Sequence, residues 1–235
     1  MSQQVTIDQR FNGPPDSGHG GYVCGVVAGL VGGPAEVTLR RPPPLGRPLE
    51  IQRLEGGRVA LRDGETVVAD GAPASVDIDV PEPVSFPDAE AASKSYLGFV
   101  QHAFPTCFGC GPQRAEGDGL RIFPGRIEGH DIVAAPWTPG ASLTDEDGTV
   151  RPEFMWAALD DAGAWALIRN PSEGPPVVLG QLAAKLLAPV RGGERCVVIG
   201  WPLGEDGRKL YSGTALLSGG GELRAFARAT WVRLS

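Results

Sequence analysis

No stretch of this 235-residue sequence is apolar for long enough to cross a bilayer, and no basic run marks a nucleic-acid surface. The formal net charge of -7 also has the wrong sign for a polyphosphate partner. The N-terminal MSQQVTIDQRF lacks the basic-then-apolar order of a secretory signal, so the expectation is a soluble, cytoplasmic protein. Cysteine is scarce, with 4 residues. Cys107 and Cys110 form a CxxC, half of a zinc site, but neither a second CxxC nor a His pair accompanies it, and no metal is expected. Cys24 and Cys196 stand alone in apolar surroundings and read as small core residues.

What the chain does have is 42% hydrophobic residues, 34 Gly and 22 Pro, a globular composition with many turns. The length suits one large domain or two ordinary ones. The most informative stretch is PEFMWAALDDAGAWALI, Pro152 to Ile168. Pro152 fits the first position of a helix, where its missing N–H has no partner to lose, and Glu153 sits in the positive first turn. The surface that follows is apolar nearly all the way round, as in a helix enclosed by its own domain. Asp160 and Asp161 stand in its middle. Buried carboxylates need partners or an altered pKa, so the pair is a functional candidate; alternatively one is solvated and the other bonds a strand.

Before that helix the chain reads as a short strand, Val5 to Phe11, then a turn-rich loop through Gly21 and a short apolar helix from Tyr22 to Leu30. His19, Gly20 and Gly21 precede this helix. Their bare backbone would let a ligand approach the unpaired N–H groups of the first turn, although a plain glycine-rich loop has the same composition. Strand patterns follow from Ala35, Pro48, Arg58 and Glu65, and a Pro-rich stretch leads to a short surface helix between Asp88 and Phe99. After the helix at Pro152, further strands begin near Val177, Glu194, Lys209 and Glu222, the last three joined by hairpin turns at Glu205-Asp206-Gly207 and Gly219-Gly220-Gly221. The acidic loop Asp145, Glu146, Asp147 has no regular ligand spacing and reads as solvated.

The two halves repeat the same order: strand, loop, one helix, then antiparallel strands. VTLRRPPPL (Val37 to Leu45) echoes LAAKLLAPV (Leu182 to Val190), and EGGRVAL echoes EDGRKLY. One helix for each run of strands indicates an α+β layer fold in which a sheet wraps the helix.

These residues resemble the hotdog-fold thioesterase superfamily. CFGCGP (Cys107 to Pro112) followed by Gly119-Leu120 is similar to the opening of single-domain acyl-CoA thioesterases of the phenylacetate-thioesterase type, and ALDDAGAWA to their LLDEA-G-WA helix. FNGPPDSGHGGYV followed by VTLRRPPPL resembles the loop, helix and next strand. The likeness spans nearly the whole chain apart from Ala72 to Ala103. It implies a double hotdog: residues 1–80 as one half, 81–103 as a linker and 104–235 as the other, with two antiparallel sheets joined into one continuous sheet and each wrapping one central helix.

The resemblance also implies a site at the junction of two hotdogs. A helix-start amide from one binds the thioester carbonyl, and a carboxylate from the other activates water or attacks directly. In the family spacing the glycine precedes the acid by eight positions. Eight before Asp160 is Pro152, which has no N–H to give. Eight after Gly20 is Ala28, which has no carboxylate. Each half keeps what the other has lost, so Gly20, with Gly21 beside it, and Asp160 would make one composite site, while Ala28 and Pro152 would make a dead one. Asp161 is the second candidate carboxylate and a candidate substrate-binding residue; about 100° round the helix, it is expected to point away from the pocket of Asp160, and it would orient Asp160 or bond the backbone. His19 would touch substrate or fix the loop, and Tyr22 would line the cleft or add an N–H. Trp156 and Trp165 read as core. The expected activity is hydrolysis of an acyl-CoA or acyl-carrier thioester, with no cofactor, since CoA is part of the substrate. The protein would be a monomeric double hotdog or a dimer of them. The alternative is a non-catalytic acyl-thioester-binding protein. A dehydratase of the other hotdog branch ranks last, because the second helix has no histidine.

Overall fold

The structure, a computed structural model, describes residues 3–234. Five strands precede the middle of the chain: β1 (Gln4–Thr6), β2 (Ala35–Leu39), β3 (Pro48–Arg53), β4 (Val59–Asp63) and β5 (Thr66–Pro73), with helix α1 (Gly20–Val31) between the first two. Six follow it: β6 (Gly125–Arg126), β7 (Val133–Trp137), β8 (Val177–Leu186), β9 (Cys196–Asp206), β10 (Lys209–Ser218) and β11 (Leu223–Arg233), with α3 (Pro152–Leu167) after β7. A short helix, α2 (Phe86–Ser93), lies between the two sets.

All eleven strands form one antiparallel sheet in the order β1-β3-β4-β5-β2-β8-β11-β10-β9-β7-β6. The order reads alike from either side of the central β2–β8 pair, as a duplicated chain requires. The register makes this sharper. Val37 lies directly opposite Leu182, its counterpart in the duplication, with Glu36 against Ala183 and Thr38 against Gln181 on either side. The local twofold therefore passes through the Val37–Leu182 pair.

The sheet curls round both helices. β11 shows the alternation this demands: Ala225, Ala227, Ala229 and Trp231 are buried, while Arg228 between them is exposed. The small residues let α3 sit close to the sheet. At Gly200 on β9 an added Cβ would lie 2.2 Å from the Ala162 carbonyl, so nothing larger fits. Thr214 on β10 donates to the Leu159 carbonyl at 2.7 Å and ties sheet to helix.

Both faces of β10 are covered, which explains its nearly unbroken burial. The second cover is the middle of the chain. Ile78, Val80, Val84, Phe86 and Ala89 pack over Val197, Ile199, Trp201, Ala215 and Leu217 on the sheet face away from the helices. The helix expected on the surface between Asp88 and Phe99 thus runs from Phe86 and buries Ala89 completely.

Other boundaries moved for local reasons. The first strand stops at Thr6, and Gln9–Phe11 turn as a 3-10 helix capped by Asp8, which accepts from the Arg10 amide. α1 begins two residues earlier than the apolar pattern, at Gly20, because His19 caps it: the imidazole accepts the Tyr22 N–H. No helix among the described residues is long and apolar enough to cross a membrane.

Candidate active site

The N-terminal end of α1 abuts the middle of α3. Gly21 Cα lies so close to the second helix that an ideal Cβ there would stand 2.6 Å from Asp160 Cβ and 2.8 Å from the Trp156 carbonyl. Glycine at 21 is what allows the contact. The Gly21 N–H donates to Asp160 Oδ2 at 2.5 Å. Asp160 and the helix-start glycines Gly20 and Gly21 thus lie together across the twofold, and the amide bound to the carboxylate is that of Gly21.

The Gly20 amide, at the first helical position, has no partner among the described residues, whereas Tyr22 N–H is taken by His19 and Val23 N–H by the His19 carbonyl. Gly20 and Asp160 both line a cleft of about 390 Å³ between the halves. Asp160 Oδ1 takes no protein donor among the described residues. A residue with an unpaired N–H in the positive first turn of one helix and a carboxylate residue of the other therefore line the same cleft.

Asp161 does not point away. Its side chain also borders the cleft, and His19 spans the two acids, with Nε2 at 3.0 Å from Asp161 Oδ2 and Nδ1 at 3.5 Å from Asp160 Oδ2. Nδ1 accepts the Tyr22 N–H, so in this arrangement the ring proton sits on Nε2 and is donated to Asp161. Burial alone would lower the His19 pKa, but Asp161 and Asp160 outweigh it and leave it well above the ordinary value. A second proton, on Nδ1, would face Asp160 and displace the helix cap.

The two acids are driven apart. Burial pushes the Asp160 carboxyl up to about 7; the Asp161 charge adds to this, while His19 and the Gly21 amide oppose it. Burial acts on Asp161 too, yet His19 and a hydrogen bond from Cys110 hold it below the usual carboxylate range. An adjacent pair with opposed shifts gives one acid that stays charged and one that exchanges a proton near neutrality.

Two of the expected positions lie elsewhere. The Tyr22 ring does not line the cleft: it is buried in the core, stacked on Phe11 at 4.2 Å and tilted against Phe154 at 5.6 Å. Only its amide serves the site, through His19. Trp165, read as core, instead forms a wall of the cleft, packed edge-on to Tyr96 at 4.6 Å. It lies four residues, one helical turn, after Asp161, so its spacing places it on the same face. Trp156 is buried and away from the cleft. Leu179, Trp231 and the loop Asn170 to Pro176 complete the lining and were not anticipated. The loop is Pro- and Gly-rich and carries no motif.

At the opposite corner, Pro152 opens α3 without an N–H and Ala28 is buried; the cleft reaches neither. Gly25 there packs so tightly that a Cβ would lie 2.6 Å from Glu153 Cα.

No family model and no curated protein matches the sequence. Solved structures do match the fold. A conserved protein of unknown function with a hot dog fold from Alicyclobacillus acidocaldarius is 11% identical over 99% of this chain and 92% of its own, with a TM-score of 0.62. A candidate thioesterase from Novosphingobium aromaticivorans is 12% identical over 99% and 95%, with a TM-score of 0.63. A candidate thioesterase II from Thermobifida fusca is 14% identical over 99% and 92%, with a TM-score of 0.60. Likeness at such identity bears on fold alone. With one continuous sheet wrapped round two helices, the chain has the hotdog fold, doubled within a single polypeptide.

Proposed function

We propose that the chain hydrolyses an acyl thioester of coenzyme A or of an acyl carrier at one composite site. The observation that carries this reading is the free Gly20 amide and the Asp160 carboxylate, contributed by different halves to the same cleft. The thioester carbonyl oxygen would take the Gly20 N–H, where the helix terminus favours the negative charge that develops on it. Asp160 Oδ1 would accept a proton from water as the water oxygen bonds to the carbonyl carbon. Collapse of the tetrahedral adduct breaks the C–S bond, and the proton held by Asp160 goes to the departing thiolate. The Gly21 amide and His19 hold the carboxylate in place. Trp165, Ile168, Leu179 and Trp231 supply apolar walls suited to an acyl group.

Two of the matched hotdog structures carry the thioesterase description, which supports the reaction class without identifying the substrate. The test is a thiol-release assay over aliphatic and aromatic acyl-CoAs, run beside calorimetric titration with the same compounds. Turnover of at least one thioester above the background rate is the expected result. Saturable binding with no release would make the protein a thioester-binding module, and neither binding nor release would end the proposal.

A further inference from the structure

Next to the acids lie two thiols that the hydrolysis does not use. Cys107 and Cys110, read from the sequence as half a metal site without the other half, lie in a turn closed by the Gly111 N–H to the Cys107 carbonyl at 2.9 Å. Both thiols are buried and free. Cys110 Sγ is 2.9 Å and Cys107 Sγ 3.7 Å from Asp161 Oδ1, while the other Asp161 oxygen is 3.0 Å from His19 Nε2. Ligand atoms of His19, Cys107 and Asp161 all lie within 4.8 Å of one another. The missing half of the set comes from α1 and α3.

We propose that His19, Cys107 and Asp161 hold a divalent transition metal of the zinc type, with Cys110, three residues on in the same turn, moving in as the fourth ligand. Tetrahedral zinc bonds of about 2.3 Å to sulfur and about 2.0–2.1 Å to nitrogen or oxygen put ligand atoms roughly 3.3–3.8 Å apart. Of the spacings to Asp161, that of Cys107 (3.7 Å) falls in this range, while those of Cys110 (2.9 Å) and His19 (3.0 Å, to the other oxygen) are shorter, so the ion needs these two to move outward and the carboxylate to turn one oxygen toward it. Two thiols, one imidazole and one carboxylate match zinc's preference for mixed sulfur and nitrogen donors.

Three further observations point the same way. Asp160, Asp161 and both thiols lie out of solvent around His19, so the negative charge left when the thiols lose their protons would be offset there by the dication that binds them. His102 takes the Phe104 N–H on Nδ1, so its Nε2–H points at Cys110 Sγ, 3.3 Å away, placed to support the charge on that sulfur if it loses its proton to bind metal. Gly109 leaves the space the cluster needs, since an ideal Cβ there would lie 1.6 Å from Asp161 Oδ2 and 2.7 Å from His19 Nε2. When His19 binds metal through Nε2, its remaining proton sits on Nδ1 and faces Asp160 Oδ2, the usual carboxylate–histidine–metal arrangement, and the Tyr22 N–H gives up its bond to that nitrogen. The ion would pin the start of α1, the CxxC turn and α3 together. With its positions filled by protein, its part is structural, and it would bear on the hydrolysis proposed above only through His19, which also holds Asp160.

The test is metal content by mass spectrometry of full-length protein purified without chelator, expected at about one ion per chain. Chelator-treated wild type given Co²⁺ should then develop tetrahedral ligand-field bands and thiolate-to-cobalt charge transfer. The Cys107→Ser/Cys110→Ser double variant should lose both the metal and the charge-transfer band, and Asp161→Asn, which keeps both thiols, should bind cobalt more weakly by tenfold or more. Protein that carries no metal and takes up neither Zn²⁺ nor Co²⁺ after reduction overturns the proposal. So does stoichiometric metal retained in the double variant. Each readout is independent of thiol release, so failure here and failure of the hydrolase reading are separately visible.

Discussion

The Gly21 amide on the first helix and the Asp160 carboxylate on the second are 2.5 Å apart although 139 residues separate them in the chain. The contact fixes the carboxylate at the one corner where each half supplies what the other lacks. The following expectations all depend on that corner.

Replacing Asp160 by Asn keeps an oxygen able to accept the Gly21 N–H but removes the base. Thioester hydrolysis should fall by roughly 10²–10⁴-fold, mostly in kcat, with the acyl-CoA affinity retained. Steady-state thiol release together with a binding titration reads both. Unchanged turnover would mean that another group takes the proton.

Glycine at 21 and glycine at 29 should respond oppositely to alanine. A Cβ at 21 would meet Asp160 Cβ and the Trp156 carbonyl, so Gly21→Ala should lower stability by about 1–3 kcal/mol in urea unfolding. At 29, in the same helix, nothing lies within 4 Å, and Gly29→Ala should raise stability by about 0.5–1 kcal/mol.

His19 is the group that spans both buried acids. His19→Ala strips Asp160 and Asp161 of this shared partner and removes the cap of α1, so a loss of about 3–5 kcal/mol is expected by denaturant titration. A loss under about 1 kcal/mol, typical of a lone cap, would show that the bridge contributes little.

Trp165 sets part of the acyl wall. Trp165→Phe should widen the cleft and move kcat/KM in favour of bulkier acyl groups by roughly tenfold, the scale of one or two methylenes in an apolar pocket. A panel of acyl-CoAs of graded size measures the ratio, and equal effects on all of them would remove Trp165 from specificity.

Much of this arrangement was readable before the coordinates. The second helix runs from Pro152 to Leu167, one residue short of the expected end, because Pro152 marks its start and the apolar run its body. The duplicated strands VTLRR and LAAKL turn out to be the pair on the twofold. The rest depended on tertiary contacts. The order of residues does not reveal that a histidine 142 positions from Asp161, and a CxxC 51–54 positions away, converge on that carboxylate. Tyr22 was assigned to the cleft because it follows the glycines, but its side chain leaves the helix on the face that packs against Phe11 and Phe154. Trp165 was assigned to the core because its helix is apolar all round, and apolarity does not distinguish a packed wall from the wall of a cleft.

The claim that matters most is a single cross-paired site in each chain. A crystal structure with a hydrolysis-resistant acyl-CoA analogue tests it directly. The expected result is one analogue per chain, its carbonyl-equivalent oxygen within hydrogen-bond distance of the Gly20 amide and its reacting carbon beside Asp160. An analogue bound at the Pro152–Ala28 corner, two analogues per chain, or one lying away from both Gly20 and Asp160 would contradict the account.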